Sequence, residues 1–172
     1  IKAGVIGFIF ILIFMVALYR FSGMASDIAL VIYVALLLIV LSLTSATLTL
    51  PGIAGIILSI GMAVDANVII FTRIKEELAV GRSVRSAIDA GFNKAFSAIL
   101  DGNVTTLIAA GVLYTLGSGV IKSFATTLAI GIVVSMFTAL VVTRILLKLL
   151  VEMGIDKPVL YGAKKHTEEG RA

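Results

Sequence analysis

From Ile28 to Thr72 the chain runs through forty-five residues that carry a single charge, Asp65. A bilayer core about 30 Å thick needs about 20 apolar residues in a helix, so this stretch is two spans long and has to fold back on itself. Further uncharged stretches lie between Lys2 and Arg20, from Gly102 to Ile121 and from Ser123 to Thr143. Of the 172 residues 60% are hydrophobic and 14% charged, against about 45–50% apolar and about 25% charged in soluble domains. An ordinary soluble globule is thereby excluded. With no Cys and one His, disulfides, thiolate chemistry and the common zinc sites are excluded too; no metal and no bound cofactor is expected.

The spacing predicts an all-α, polytopic membrane bundle of five helices over residues 3–19, 28–48, 51–72, 99–116 and 123–147. Turns are expected at Thr49-Leu50-Pro51-Gly52 and Gly117-Ser118-Gly119, where Pro presets φ and Gly relieves it. Between the third and fourth helices, residues 75–96 are polar but patterned: Val84, Ile88 and Phe92 recur at i, i+4, i+8. They read as an amphipathic helix on the cytoplasmic interface, entered through Gly81, whose simplest role is that of a connector. Residues 152–172, with Pro158 among Gly, Lys and Glu, read as a flexible tail in which His166 is incidental.

Orientation follows from the cations in the short loops. If the first helix runs from outside to inside, twelve Lys and Arg fall on the cytoplasmic side and only Lys2 and Lys122 outside. The long connection and the C-terminus are then cytoplasmic. Those basic residues are divided among loops at bilayer edges, so nucleic acid is not an expected partner. The chain opens on Ile1 with nothing like a signal peptide ahead of its first span, which fits a longer protein with at least one more span upstream.

Helices in lipid approach closely through small side chains at spacing four. Ser123, Thr127, Gly131, Ser135, Ala139 and Thr143 form such a stripe down the fifth helix, and Gly55, Ser59 and Ala63 a shorter one on the third. Static packing explains both; low side chains also let helices slide.

Asp65 stands eight residues before Arg73, about 12 Å along a helix, where an ionised Asp costs about 2.5–3.5 kcal/mol. Such an acid has to face other helices or a watery cavity, and it is a candidate to bind and release a proton. An Asp held neutral in a structural hydrogen bond is the plainer alternative. Asp65-Ala66-Asn67-Val68 is echoed by Asp101-Gly102-Asn103-Val104 on the next, oppositely directed helix, so both acids are expected at similar depth. Asn67, Asn103, Thr105 and Thr106 are candidate hydrogen-bonding support. Asp101 also suits a helix start, where an acid complements the dipole. Two intramembrane acids raise the possibility of an aspartyl protease, but the Tyr-Asp and Gly-x-Gly-Asp signatures of such proteases are missing, and no enzymatic activity is expected.

At these residues a family resemblance enters. The runs Leu50-Pro51-Gly52-Ile53-Ala54-Gly55, Gly61-Met62-Ala63-Val64-Asp65-Ala66-Asn67-Val68-Ile69-Ile70-Phe71 and Arg73-Ile74-Lys75-Glu76-Glu77 resemble the fourth membrane segment of the SecD branch of the SecD/SecF protein-export family. Gly91-Phe92, Ala95-Phe96, Asp101 and Asn103-Val104-Thr105-Thr106-Leu107 resemble the fifth segment. Phe124-Ala125-Thr126-Thr127-Leu128, Gly131 and Ser135-Met136-Phe137-Thr138-Ala139 resemble the sixth. Thr72 stands where the pattern has Glu, and Gly102 where Ala is more usual.

The resemblance implies the resistance–nodulation–division architecture, with six helices per half, a SecF partner half and a large outer domain after the first span. It implies a multi-pass protein of the bacterial inner membrane working with the SecYEG channel, SecA and a YajC-type accessory subunit on a preprotein substrate. It further implies that a proton gradient, or sodium in some species, drives late steps of export through the acid that maps to Asp65. An exporter of small molecules or lipids with the same architecture, or a membrane scaffold that transports nothing, are the competing expectations.

Overall fold

Inside a bilayer no water is at hand to satisfy backbone groups, so each spanning segment has to satisfy its own, and the apolar stretches form long helices. The computed structural model describes residues 2–44, 49–155 and 158–161. In order, α1 spans Lys2–Tyr19, α2 Phe21–Leu43, α3 Leu50–Ala79, α4 Val84–Leu116 and α5 Gly119–Phe137. A π turn, Thr138–Val142, leads directly into α6, Thr143–Glu152, and a 3₁₀ turn covers Pro158–Tyr161. Among the described residues there is no strand, and four helices are long and apolar enough to cross a membrane, Gly119–Glu152 counting as one; α1 adds a shorter apolar stretch, Ile6–Tyr19.

Several boundaries differ from expectation. The second helix starts at Phe21 instead of 28, because the chain turns at one residue, Arg20, held at φ 51°. Ser22, Gly23, Ala25 and Ser26 are buried, and their small side chains let α2 begin in contact with α1. Asp27 therefore lies inside a helix. Residues 49–52 start α3 instead of turning: Thr49 Oγ1 caps by accepting from the Gly52 N–H at 3.2 Å, and Pro51 sits in the first turn, where its missing N–H is no loss. The expected end of the second helix, residues 45–48, lies outside the described residues.

The amphipathic run is helical but is no separate interfacial element. It forms the first turns of α4, which continues to Leu116. Its apolar face of Val84, Ile88 and Phe92 is buried in protein, and Gly91 lets Ile74 of α3 approach so closely that an added Cβ would lie 2.9 Å from its backbone nitrogen. Gly81, at φ 91°, makes the tight turn between α3 and α4. Of the expected tail, Tyr161 is buried and its hydroxyl donates to the Ile155 carbonyl at 2.8 Å; residues 162–172, His166 among them, lie outside the described residues.

α3 occupies the centre, packed against α5 on one side and α4 on the other. Along the α3–α5 seam the two stripes of small residues meet. An added Cβ at Gly55 would strike Thr127 Oγ1 and lie 3.0 Å from the Phe124 carbonyl, and one at Gly131 would strike Ser59. Ser59, Ala63, Thr127, Ser135, Ala139 and Thr143 are all buried. Hydrogen bonds close the seam: Thr49 Oγ1 donates to Ser123 Oγ at 2.8 Å, and Tyr33 of α2 donates to Ser59 Oγ at 2.7 Å.

The π turn has a geometric role in this seam. A strict spacing of four advances about 40° per step around an ideal helix, so a stripe from Ser123 to Thr143 would wind away from its partner. The wider turn holds more residues per revolution and sets the stripe back. Thr143 Oγ1 then donates to Asn67 Oδ1 of α3 at 3.0 Å.

The cationic end is tied by ion pairs. Glu77, its side chain 4% accessible, receives Lys94 Nζ at 2.5 Å and Arg82 Nε at 3.0 Å across the α3–α4 turn. Asp89 receives Arg144 at 2.8 Å and Lys148 at 2.9 Å, joining α4 to α6. Lys75 Nζ donates to the Leu18 carbonyl near the end of α1 at 3.3 Å and lies 4.2 Å from the Tyr19 ring centre. The Lys94 hydrogen bond, helped by the Arg82 charge, holds the Glu77 carboxyl below its ordinary range, and the hydrogen bonds of Arg144 and Lys148 do the same for Asp89.

Two outcomes follow from this packing. Gly131→Val drives a branched side chain into Ser59 and lowers stability by about 1–3 kcal/mol, read as a lower unfolding midpoint in detergent; an unchanged midpoint would show that α3 and α5 separate freely. Because both acids have folded pKa values below their unfolded ones, their stabilisation is present above the ordinary values of 4.5 and 3.8 and is lost as pH falls through the folded values. Amide exchange around residues 80–83, corrected for intrinsic rate, should accelerate below pH of about 4, and Glu77→Gln should remove that acceleration at this turn while leaving it around Asp89.

Candidate functional site in the α3–α4 cleft

The antiparallel register of α3 and α4 opens a cavity of about 210 Å³ between them, large enough for several waters. Met62, Ala66 and Ile69 line one wall, and Ala98, Ile99 and Gly102 the other; the polar groups are Asp65 and Asn103. Asp65 lies near the middle of α3. It is the one charged residue of the lining.

Asp65 is exposed on the side of the bundle and lines the cavity; of the two surroundings expected for it, other helices or a watery cavity, the described residues supply the second. Among the described residues, the cavity wall facing α3 comes from α4. Asp101 is exposed as well, and the lining does not include it; its immediate successors Gly102 and Asn103 line the cavity together with Ala98 and Ile99.

The supporting polar residues divide. Residues two apart on a helix differ by about 200°, so in both Asp-x-Asn repeats the Asp is exposed and the Asn buried. Asn67 faces Thr143 on the far side of α3, and it gives Asp65 no support. Thr105 Oγ1 donates to the Asp101 carbonyl at 2.8 Å and Thr106 Oγ1 to the Gly102 carbonyl at 3.0 Å, so their protons are spent on their own helix. Asn103, 7% exposed, remains: it comes from the facing helix and shares the cavity with Asp65. Gly55, Ser59, Ala63, Thr127, Gly131, Ser135 and Ala139 lie in the seam between α3 and α5, and none of them is among the residues lining the cavity.

Sequence reasoning passed over one acid. Asp27 lies within α2, and its Oδ1 is buried with no hydrogen-bond partner among the described residues. The charge-to-charge measure that singled out Asp65 also finds it, seven residues after Arg20, once the helix is known to start at Phe21. No cluster of His, Cys, Asp and Glu suited to a metal occurs among the described residues. The cleft thus offers one acid, one buried amide and room for water, a set that can hold a small cation or pass a proton.

Residues 1–153 match the family described as protein export membrane protein SecD/SecF, C-terminal. The protein translocase subunit SecD of Acidaminococcus fermentans is 56% identical over 164 residues, covering 95% of this chain and 39% of that protein. The SecD subunit of Synechocystis sp. is 56% identical over 149 residues, 87% of this chain and 32% of its own length. The chain thus spans well under half of either relative. Among solved structures, the crystal structure of SecDF, a translocon-associated membrane protein from Thermus thermophilus, superposes with a TM-score of 0.86 at 44% identity, over 89% of this chain and 21% of that one.

Proposed function

Because the chain belongs to the SecD/SecF protein-export membrane family, we propose that it is the membrane-embedded, ion-driven part of a SecD subunit, with Asp65 as the relay for a proton or sodium ion. One observation carries the reading: the acid stands midway along a membrane helix, beside a cavity, on a face of the bundle that the described residues leave open. An ionisable group at that depth belongs against protein or water. A SecF-type partner half covering the open face would supply that surrounding.

The proton enters from the outer side and leaves to the cytoplasm, with the cationic loops and C-terminus cytoplasmic, as the distribution of Lys and Arg favours. One charge moved across 100 mV supplies about 2.3 kcal/mol, enough to shift a two-state bundle more than tenfold. α3 is suited to pass on that shift. Its cavity face carries Asp65, and its seam face carries the small residues through which α5 can move. The outer part of the full protein converts the movement into pulling on a preprotein that emerges from the SecYEG channel after SecA, with a YajC-type subunit alongside.

In inverted vesicles Asp65→Asn should abolish gradient-dependent preprotein translocation while the subunit stays inserted and assembled; Asp101→Asn should give at most a partial defect. Unimpaired translocation by Asp65→Asn would leave only a scaffold role, and loss of small-molecule efflux in its place would point to an exporter.

A further inference from the structure

Asn103 is buried and donates from Nδ2 to the Ile99 carbonyl at 2.7 Å. A carbonyl oxygen only accepts, so the amide can present only its NH₂ group there, and the orientation of the side chain is settled. Its Oδ1 is consequently the atom left over. That oxygen is buried and has no donor among the described residues, although it belongs to a residue lining the cavity that holds Asp65. A buried acceptor without a donor is costly. The thing it calls for is an O–H or a cation from the cavity.

Asp65 is the sole titratable group in the lining; the other walls are apolar side chains and Gly102. Asp101 is exposed outside it, and the Thr105 and Thr106 hydroxyls are committed to their own backbone. A protonated Asp65 carboxyl has an O–H to give; an ionised one has only acceptors. We infer that Asn103 is the positioning residue of the relay: its Oδ1 accepts the O–H of protonated Asp65 across the α3–α4 cleft, and ionisation of Asp65 breaks that link and sets two acceptors against each other.

The inference rests on the relay reading of Asp65 and adds to it the group that distinguishes loaded from unloaded. In the loaded state a hydrogen bond joins α3 to α4 midway along the membrane; in the unloaded state the cleft has to open, admit water or rotate Asn103. Asn103 favours the protonated acid, so it sets the proton concentration at which the relay loads.

The test uses the full-length subunit with its partner half in inverted vesicles, with gradient-driven translocation measured against lumenal pH. Asn103→Leu and Asn103→Ala both remove the acceptor, the second without adding bulk, and should move the pH midpoint down by up to about one unit, a tenfold change in proton concentration. Asn103→Ser should restore it, since a serine hydroxyl can donate to the Ile99 carbonyl and still accept from Asp65. An unmoved midpoint in Asn103→Ala, an equal shift in Asn103→Ser, or a change in sodium half-saturation with the pH midpoint intact would each overturn the assignment. Asp65→Asn in the same vesicles separates the two claims: continued gradient-driven translocation there defeats the relay itself, whereas its loss beside an unmoved Asn103→Ala midpoint defeats only the role of Asn103.

Discussion

The contact on which the rest of the bundle depends is the one between Gly131 of α5 and Ser59 of α3, with the Tyr33 hydroxyl of α2 bonded to the same serine. In lipid, apolar side chains gain nothing by leaving one solvent for another, so helices hold together through backbone proximity and a few enclosed hydrogen bonds. Gly131 supplies the proximity, and the Tyr33–Ser59 bond fixes the level at which three helices cross. From that point the seam extends to Thr49–Ser123 at one end and Asn67–Thr143 at the other. Every side chain in it is small or is spent on a named partner.

With one face of α3 given to this seam, its remaining face decides the chemistry. The Asp-x-Asn repeat is an economical way to serve both, because two residues on a helix reverse direction by more than half a turn. On α3 the Asn secures the seam and the Asp looks into the cleft. On α4 the same repeat sends the Asn into the cleft and leaves the Asp outside. The cavity therefore combines the acid of one repeat with the amide of the other, and only the pairing of the two antiparallel helices produces that combination.

Much of this was legible in the residues. The lengths between charges reveal how many helices there are, Gly117-Ser118-Gly119 marks the reversal before α5, and the spacing of small residues identifies the two surfaces that meet. The errors have a common origin, which is the use of charges as helix ends. Arg20 and Asp27 made residues 20–27 look like a loop, yet Arg20 alone forms the corner and Asp27 is intrahelical. The polar residues after Gly81 made an interfacial helix look separate, yet Glu77, Lys94, Asp89 and Arg144 neutralise one another and let α4 run on without interruption.

By itself the sequence determined that the chain is a multi-pass membrane protein and that Asp65 is the lone charge in a long apolar stretch, since these depend only on chain length, charge and the energy of moving both into oil. The tertiary structure alone decided which groups surround that acid. A π turn five residues long brings Thr143 to Asn67 and so removes Asn67 from the site, and the register between α3 and α4 brings Asn103 into it. Those outcomes turn on rotations of a few tens of degrees about helix axes, and such rotations are fixed by how neighbouring helices fit together.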